Sequence, residues 1–133
     1  MKSLDSLFAA ARAAQANAYA PYSRFKVGAA VLTPQGRVYG GCNVENAAYP
    51  VGVCAEASAI SAMICAGDNR ISDILVVGDG DSLVTPCGAC RQRINEFSSS
   101  LTSVHIAGPV GIRASFTVDE LLPHSFGPRN LGV

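Results

Sequence analysis

The sequence carries no net charge: ten Lys and Arg residues stand against ten Asp and Glu, and charged residues make up only 15% of the chain. A surface that tracks a polyphosphate backbone needs clustered positive charge. A nucleic-acid polymer is therefore not an expected partner, whereas a small ligand without phosphate stays compatible. No Gly-rich phosphate loop or basic cluster is present either. Long hydrophobic runs are also missing. Leu7 to Ala11 is the longest apolar stretch near the N-terminus, far short of the roughly 18 residues that suggest a bilayer span. Lys2 and the Ala-rich segment up to Ala20 superficially resemble a secretory leader. Asp5, Arg12 and Gln15 interrupt it, however, and Leu4, Leu7, Phe8 and Ala11 follow helical spacing. The expectation is an amphipathic helix, no membrane partner and a cytoplasmic location. Without repeats, low-complexity tracts or a linker, residues 1–133 read as one domain.

What is present divides into regular elements. The first helix is expected to end near Tyr19, because Pro21 disfavours helix in the residue before it. Val27–Leu32 and Arg37–Cys42 flank Thr33-Pro34-Gln35-Gly36, which predicts a hairpin around a tight turn. Ala55–Ala66 reads as a buried helix stopped by Gly67, and Ile71–Val77 as a central strand. Gly88–Phe97 is a second helix candidate, Ser103–Ala107 a short strand, and Ser115–Leu122 a short helix before Pro123. This order predicts an α/β domain of three layers, α/β/α, with a mixed central sheet.

The five cysteines are an odd number, so complete internal pairing is impossible. In a reducing compartment, grouped cysteines serve metal or redox chemistry more often than disulfides. Two groups stand out: Cys54-Ala55-Glu56, and Pro86-Cys87-Gly88-Ala89-Cys90. The Cys-x-x-Cys pair alone fits a structural zinc knuckle, a thioredoxin-like redox pair or two ordinary buried cysteines. A closed zinc site needs a fourth protein ligand. The candidates are poor: His105 lies in a predicted strand, His124 lies near the tail, and Cys42 and Cys65 fall outside both helix starts. Three protein ligands and one open position instead suit catalytic zinc. Glu56, two residues from Cys54 at the same helix start, is close enough to exchange protons there without ligating. Taken alone, it would be an ordinary first-turn glutamate favoured by the helix dipole.

Four motifs in order carry a wider resemblance. Tyr22 to Ala30 (YSRFKVGAA), Gly41 to Ala47 (GCNVENA), Cys54-Ala55-Glu56, and Pro86 to Gln92 (PCGACRQ) resemble the short, homotetrameric-type, zinc-dependent cytidine deaminases, over most of the chain. The resemblance implies the cytidine-deaminase fold and hydrolytic deamination of cytidine and deoxycytidine, a step of pyrimidine salvage. It implies one Zn²⁺ per subunit held by Cys54, Cys87 and Cys90, with Glu56 as the catalytic proton carrier. It further implies that Phe25 packs on the pyrimidine, that Asn43 and Glu45 bind the ribose hydroxyls, and that the Ala55 backbone meets the base carbonyl. Tyr49 and Phe126 match positions through which neighbouring subunits of a homotetramer complete each other's sites. The rival readings are a deaminase of another small base or nucleoside, and a non-enzymatic zinc module.

The chain departs from the family pattern in two places. Many relatives carry Arg directly after the glutamate, where this chain has Ala57, and Tyr49-Pro50 replaces the usual Tyr-Gly. A dication held by three thiolates keeps one net negative charge, which weakens its acidifying effect on water. Arg91, Gln92 or the helix dipoles alone are expected to offset it.

Overall fold

The computed structural model describes residues 3–133. Met1 and Lys2 lie outside the described residues, and with them the positive start of the leader-like pattern. Helix α1 (Leu4–Ala16) opens on Ser3, whose hydroxyl accepts the Ser6 amide. Its buried stripe of Leu7, Ala11 and Gln15 faces the sheet. It ends three residues before the expected Tyr19, because the next segment turns to pair with a loop: the Tyr19 amide donates to the Asn43 carbonyl at 3.0 Å.

Strands β1 (Val27–Leu32) and β2 (Val38–Cys42) form the expected hairpin. The turn closes through the Gly36 amide to the Thr33 carbonyl, with Gly36 at φ +86°, a conformation that favours glycine. Helix α2 (Ala55–Cys65), strand β3 (Ile71–Gly78) and helix α3 (Gly88–Glu96) fall within a residue of expectation.

The C-terminal third differs. Strand β4 runs from Ser98 to Gly108, not Ser103 to Ala107, since Ser98 already pairs with Ile71 and the Thr102 hydroxyl donates to the Ile71 carbonyl. The helix expected over Ser115–Leu122 is realised only in its second half. Gly111–Thr117 forms strand β5, an edge strand antiparallel to β4, and only Val118–Leu121 is helical (α4). Thr117 is the hinge between them. It ends the strand and closes a capping box with Glu120. The strand signal is present in the sequence, since Ile112, Ala114 and Phe116 alternate with Arg113, Ser115 and Thr117, and the helix expected from Ser115 cuts across it.

The sheet order is β2-β1-β3-β4-β5, with β3 and β4 parallel and every other pair antiparallel. Alternation along β1 supplies both faces: Ala30 and Leu32 pack with Leu7 and Ala11 of α1, while Ala29 and Val31 pack with Ala59, Met63 and Ile94 on the other side. This is the expected three-layer α/β/α arrangement. Register fixes where function can sit. Val27 pairs with Gly78 and Gly28 with Cys42, so the start of β1 and the ends of β2 and β3 meet at one edge of the sheet. The loops carrying the four motifs all leave from that edge, as ligand loops do outside the carboxyl ends of strands in open α/β sheets.

One close approach holds α2 there. A Cβ at Gly41 would fall 2.3 Å from the Ala59 amide nitrogen and 2.8 Å from the Ala55 carbonyl, and the Ser58 hydroxyl donates to the Cys42 carbonyl at 2.8 Å. Gly41→Ala is expected to push β2 off the first turns of α2, at a cost of about 3 kcal/mol. Thermal denaturation reads this as a lowered Tm; a variant with unchanged Tm would show that the two backbones separate freely.

Candidate metal and deamination site

Helices α2 and α3 each begin at a cysteine. Cys54 is the N-cap of α2 and Cys87 that of α3, both in extended backbone conformation, with their carbonyls accepting from Ser58 and Arg91. Cys90 follows one turn into α3 and is fully buried. The Sγ atoms of Cys54, Cys87 and Cys90 all lie within 4.8 Å of one another, the only such group of potential metal ligands found among the described residues.

Their electrostatics fit a cation. Burial pushes the Cys54 and Cys90 thiols up, and the nearby Glu56 carboxylate adds to this. Cys87 moves the opposite way, chiefly because the Cys90 amide at the α3 N-terminus hydrogen-bonds it. Three soft sulfur donors, two of them desolvated and mutually repelling as thiolates, match zinc in kind and number and leave its fourth position open. His105 does not compete. Its Nε2 lies 2.9 Å from Asp73 Oδ1 and its Nδ1 2.7 Å from Ser115 Oγ, so both ring nitrogens are engaged on the sheet.

Glu56 is 5% exposed, and burial pushes its carboxyl up against the lowering effect of the Arg93 guanidinium and the Cys90 thiol. A carboxyl raised in this way suits both taking and returning a proton. Ala55 is the first residue of α2 and is buried between Cys54 and Glu56.

The remaining expected residues line the approach. Phe25, 41% exposed, rests at the end of β3; a Cβ on Gly78 would lie 3.2 Å from its Cζ. Asn43 braces the loop before β1: its Oδ1 accepts the Val27 amide and its Nδ2 donates to the Phe25 carbonyl, both at 2.9 Å. Glu45 accepts the amides of Tyr22 and Ser23, each at 3.0 Å, and the Ser23 hydroxyl. These bonds hold its carboxyl below the usual range, the Ser23 hydroxyl first among them. Val44 between them pairs with Val53, which draws the Asn43–Glu45 segment alongside Cys54. A cleft of about 390 Å³ lies beside it, lined by Tyr22, Ser23, Glu45, Asn46, Tyr49 and Gly52.

Tyr49 and Phe126 stand apart from the thiols. Tyr49 is 73% exposed and meets Tyr22 edge-on with ring centroids 6.0 Å apart. Phe126 is 57% exposed, and only its carbonyl is tied down, by Gln92 and Asn95 of α3. Within one chain neither ring is brought into the thiol cluster as a described ligand-side contact.

The expected sulfur donors need correction. The Arg91 guanidinium donates to the carbonyls of Pro86 and Leu121, and Gln92 to that of Phe126. Neither reaches a thiol. Arg93, which the sequence reading passed over, donates from Nη1 to Cys90 Sγ at 3.5 Å. Its spacing was the available signal: residues three apart on a helix share a face, and side chains lean toward the N-terminus.

Three thiols and a buried carboxylate at two converging helix N-termini, on a mixed α/β/α sheet, define the zinc-deaminase class. Comparison with known proteins agrees. The cytidine and deoxycytidylate deaminase zinc-binding region matches residues 1–106, and the chain belongs to that family. It is 40% identical over 128 residues to a cytidine deaminase of Sporosarcina psychrophila, covering 96% of this chain and 94% of that one. The crystal structure of a cytidine deaminase from Burkholderia pseudomallei superposes with TM-score 0.87 at 41% identity, covering 94% of this chain and all of the other. That from Mycobacterium tuberculosis gives 0.81 at 39%, covering 96% and 99%.

Substituting Cys54, Cys87 or Cys90 by Ala is expected to abolish the single zinc equivalent that survives dialysis. Cys42→Ala and Cys65→Ala should leave it intact. Metal analysis of the five variants decides the ligand set.

Proposed function

We propose that this chain catalyses the hydrolytic deamination of cytidine and deoxycytidine to uridine and deoxyuridine, releasing ammonia in cytoplasmic pyrimidine salvage. The observation that carries this is the buried Glu56 carboxyl beside a three-thiol cluster in a chain of the deaminase family. Residues 1–133 act as one catalytic domain. Cys54, Cys87 and Cys90 hold one zinc ion, whose role when bound is to acidify the attacking water.

The chain's own groups do the rest. Phe25 offers an apolar face to the flat base. The Ala55 amide, at the positive end of α2, meets the base carbonyl. Asn43 and Glu45 take the ribose hydroxyls, and their bonds to the Tyr22–Val27 segment pre-set them, which reduces the cost of ordering on binding. Glu56 carries a proton from the attacking water to ring N3, making C4 more electrophilic, and a second to the exocyclic amine before ammonia leaves. Burial, which raises the carboxyl from its ordinary value, suits it to both duties of taking and returning a proton. Among the described residues no helix is long and apolar enough to cross a membrane.

The assembly is a homotetramer in which Tyr49 and Phe126 complete the sites of neighbouring subunits. Their exposure supports this reading, since large apolar side chains left in water favour burial by a partner.

Glu56→Gln is expected to lower cytidine kcat by about 10²- to 10⁴-fold while retaining zinc. An active variant would remove Glu56 from the mechanism, and a zinc-replete wild type that deaminates only another amino-base would redirect the substrate assignment. Phe126→Ala mixed with Glu56→Gln and reassembled should regain activity that neither variant has alone, because mixed tetramers contain intact shared sites. Absence of regained activity in verified mixed tetramers would confine each site to one subunit.

A further inference from the structure

A cluster of three thiolates around a dication carries one net negative charge, and at the fully buried Cys90 such charge is costly unless something nearby offsets it. The residue after Glu56 is Ala57, whose methyl offers neither charge nor hydrogen bond. The helix N-termini contribute only partial charges. The missing unit of positive charge has to come from another side chain.

We propose that Arg93 is the residue that neutralises the three-thiolate zinc site, acting as a positioning cation on the sulfurs rather than on substrate. This rests on the zinc assignment above and adds to it a residue outside the four motifs. Three observations converge. Arg93 Nη1 donates to Cys90 Sγ at 3.5 Å, and among the described residues this is its sole hydrogen bond. Its charge is also felt by the buried Glu56 carboxyl. The rows of α3 explain its reach: Arg93 follows Cys90 by three residues, and its Cβ tilts toward the helix start where the thiols lie. Ala57 and Arg93 also line the same surface depression, together with Gln92 and Glu96, so the short side chain at 57 leaves the space in which the guanidinium approaches.

A guanidinium within hydrogen-bond reach of one sulfur, in a cluster whose three sulfurs lie within 4.8 Å of one another, is placed to offset the charge they share. Arginine suits the task better than lysine. Its planar fork presents five N–H donors, stays charged at any working pH and is more weakly hydrated. Arg91, although nearer in sequence to the ligands, is committed to the Pro86 and Leu121 carbonyls and so shapes the loop instead.

The test uses the zinc-loaded protein and Arg93→Met, which keeps the apolar stem and removes the charge and donors. Competition with a zinc chelator at fixed pH is expected to show about 10- to 100-fold weaker retention in the variant, the usual effect of losing a partner of a metal ligand. The Tm of the metal-free form should be unchanged. Replacing zinc by Co²⁺ gives a second readout that a purely structural role would not move. Without the Arg93 donor the sulfur lone pairs rise in energy, so the sulfur-to-cobalt charge-transfer band should shift to longer wavelength. Wild-type zinc retention in Arg93→Met, or weakened retention with an unshifted cobalt band, would overturn the assignment. A wild-type protein that binds no zinc would instead overturn the metal reading itself, so the two failures are distinguishable.

Discussion

Bringing three thiols within 4.8 Å of one another, with a carboxylate beside them and little water around, is the demand that organises this molecule. Left as thiols they are merely polarizable groups, of which Cys90 alone is fully buried. As thiolates they repel, and burial opposes their ionisation. The structure answers with field and geometry. Two helices start at the cluster and point their N-termini at it. Each cysteine N-cap is extended, which turns the entering chain so that the next residues begin the helix. The cluster therefore inherits its shape from two helix starts, and their positions from the sheet.

Holding those starts requires close packing behind them. The approach of β2 to α2 at Gly41 leaves no room for a side chain, and Ser58 ties the same turn to the Cys42 carbonyl. On the other flank, Arg91 pins the loop before Cys87 through the Pro86 carbonyl and connects α3 to the end of α4. The loop residues assigned to the nucleoside are braced as well. Asn43 and Glu45 spend their hydrogen-bonding capacity on the Tyr22–Val27 segment, with Ser23 closing against Glu45. Binding a ribose there means exchanging or sharing those bonds, which favours a ligand with hydroxyls at matching positions over one without them.

Much of this was legible in the residues. The alternation in Val27–Leu32, the turn at Gly36 and the buried runs of α2 and β3 express periodicities that local sequence carries directly. The cysteines and Glu56 were legible for another reason: grouped thiols beside a carboxylate are chemically distinctive, and their spacing places them at helix starts. Failures came at the bounds of elements. The alternation of Ile112, Ala114 and Phe116 with Arg113, Ser115 and Thr117 marks β5 as a strand, but the expected helix started at Ser115, inside that pattern, whereas helix begins only after the Thr117 cap. Strand β4 was extended by pairing across a bulge near Ile71, which no local pattern encodes. Helix α1 stopped early because Tyr19 pairs with a loop distant in sequence.

The sequence by itself determined the chemical inventory: which residues can ligate, which can move a proton, and that positive and negative charges balance. Those are properties of side chains and short-range spacing. Only the tertiary structure decided which groups act on one another. It placed the start of β1 and the ends of β2 and β3 at one edge, where the four separated motifs gather. It also turned Arg91 and Gln92 toward backbone carbonyls and Arg93 toward Cys90. Three polar neighbours with similar reach differ only in where the helix face points them, and that direction is fixed by how α3 packs against the sheet.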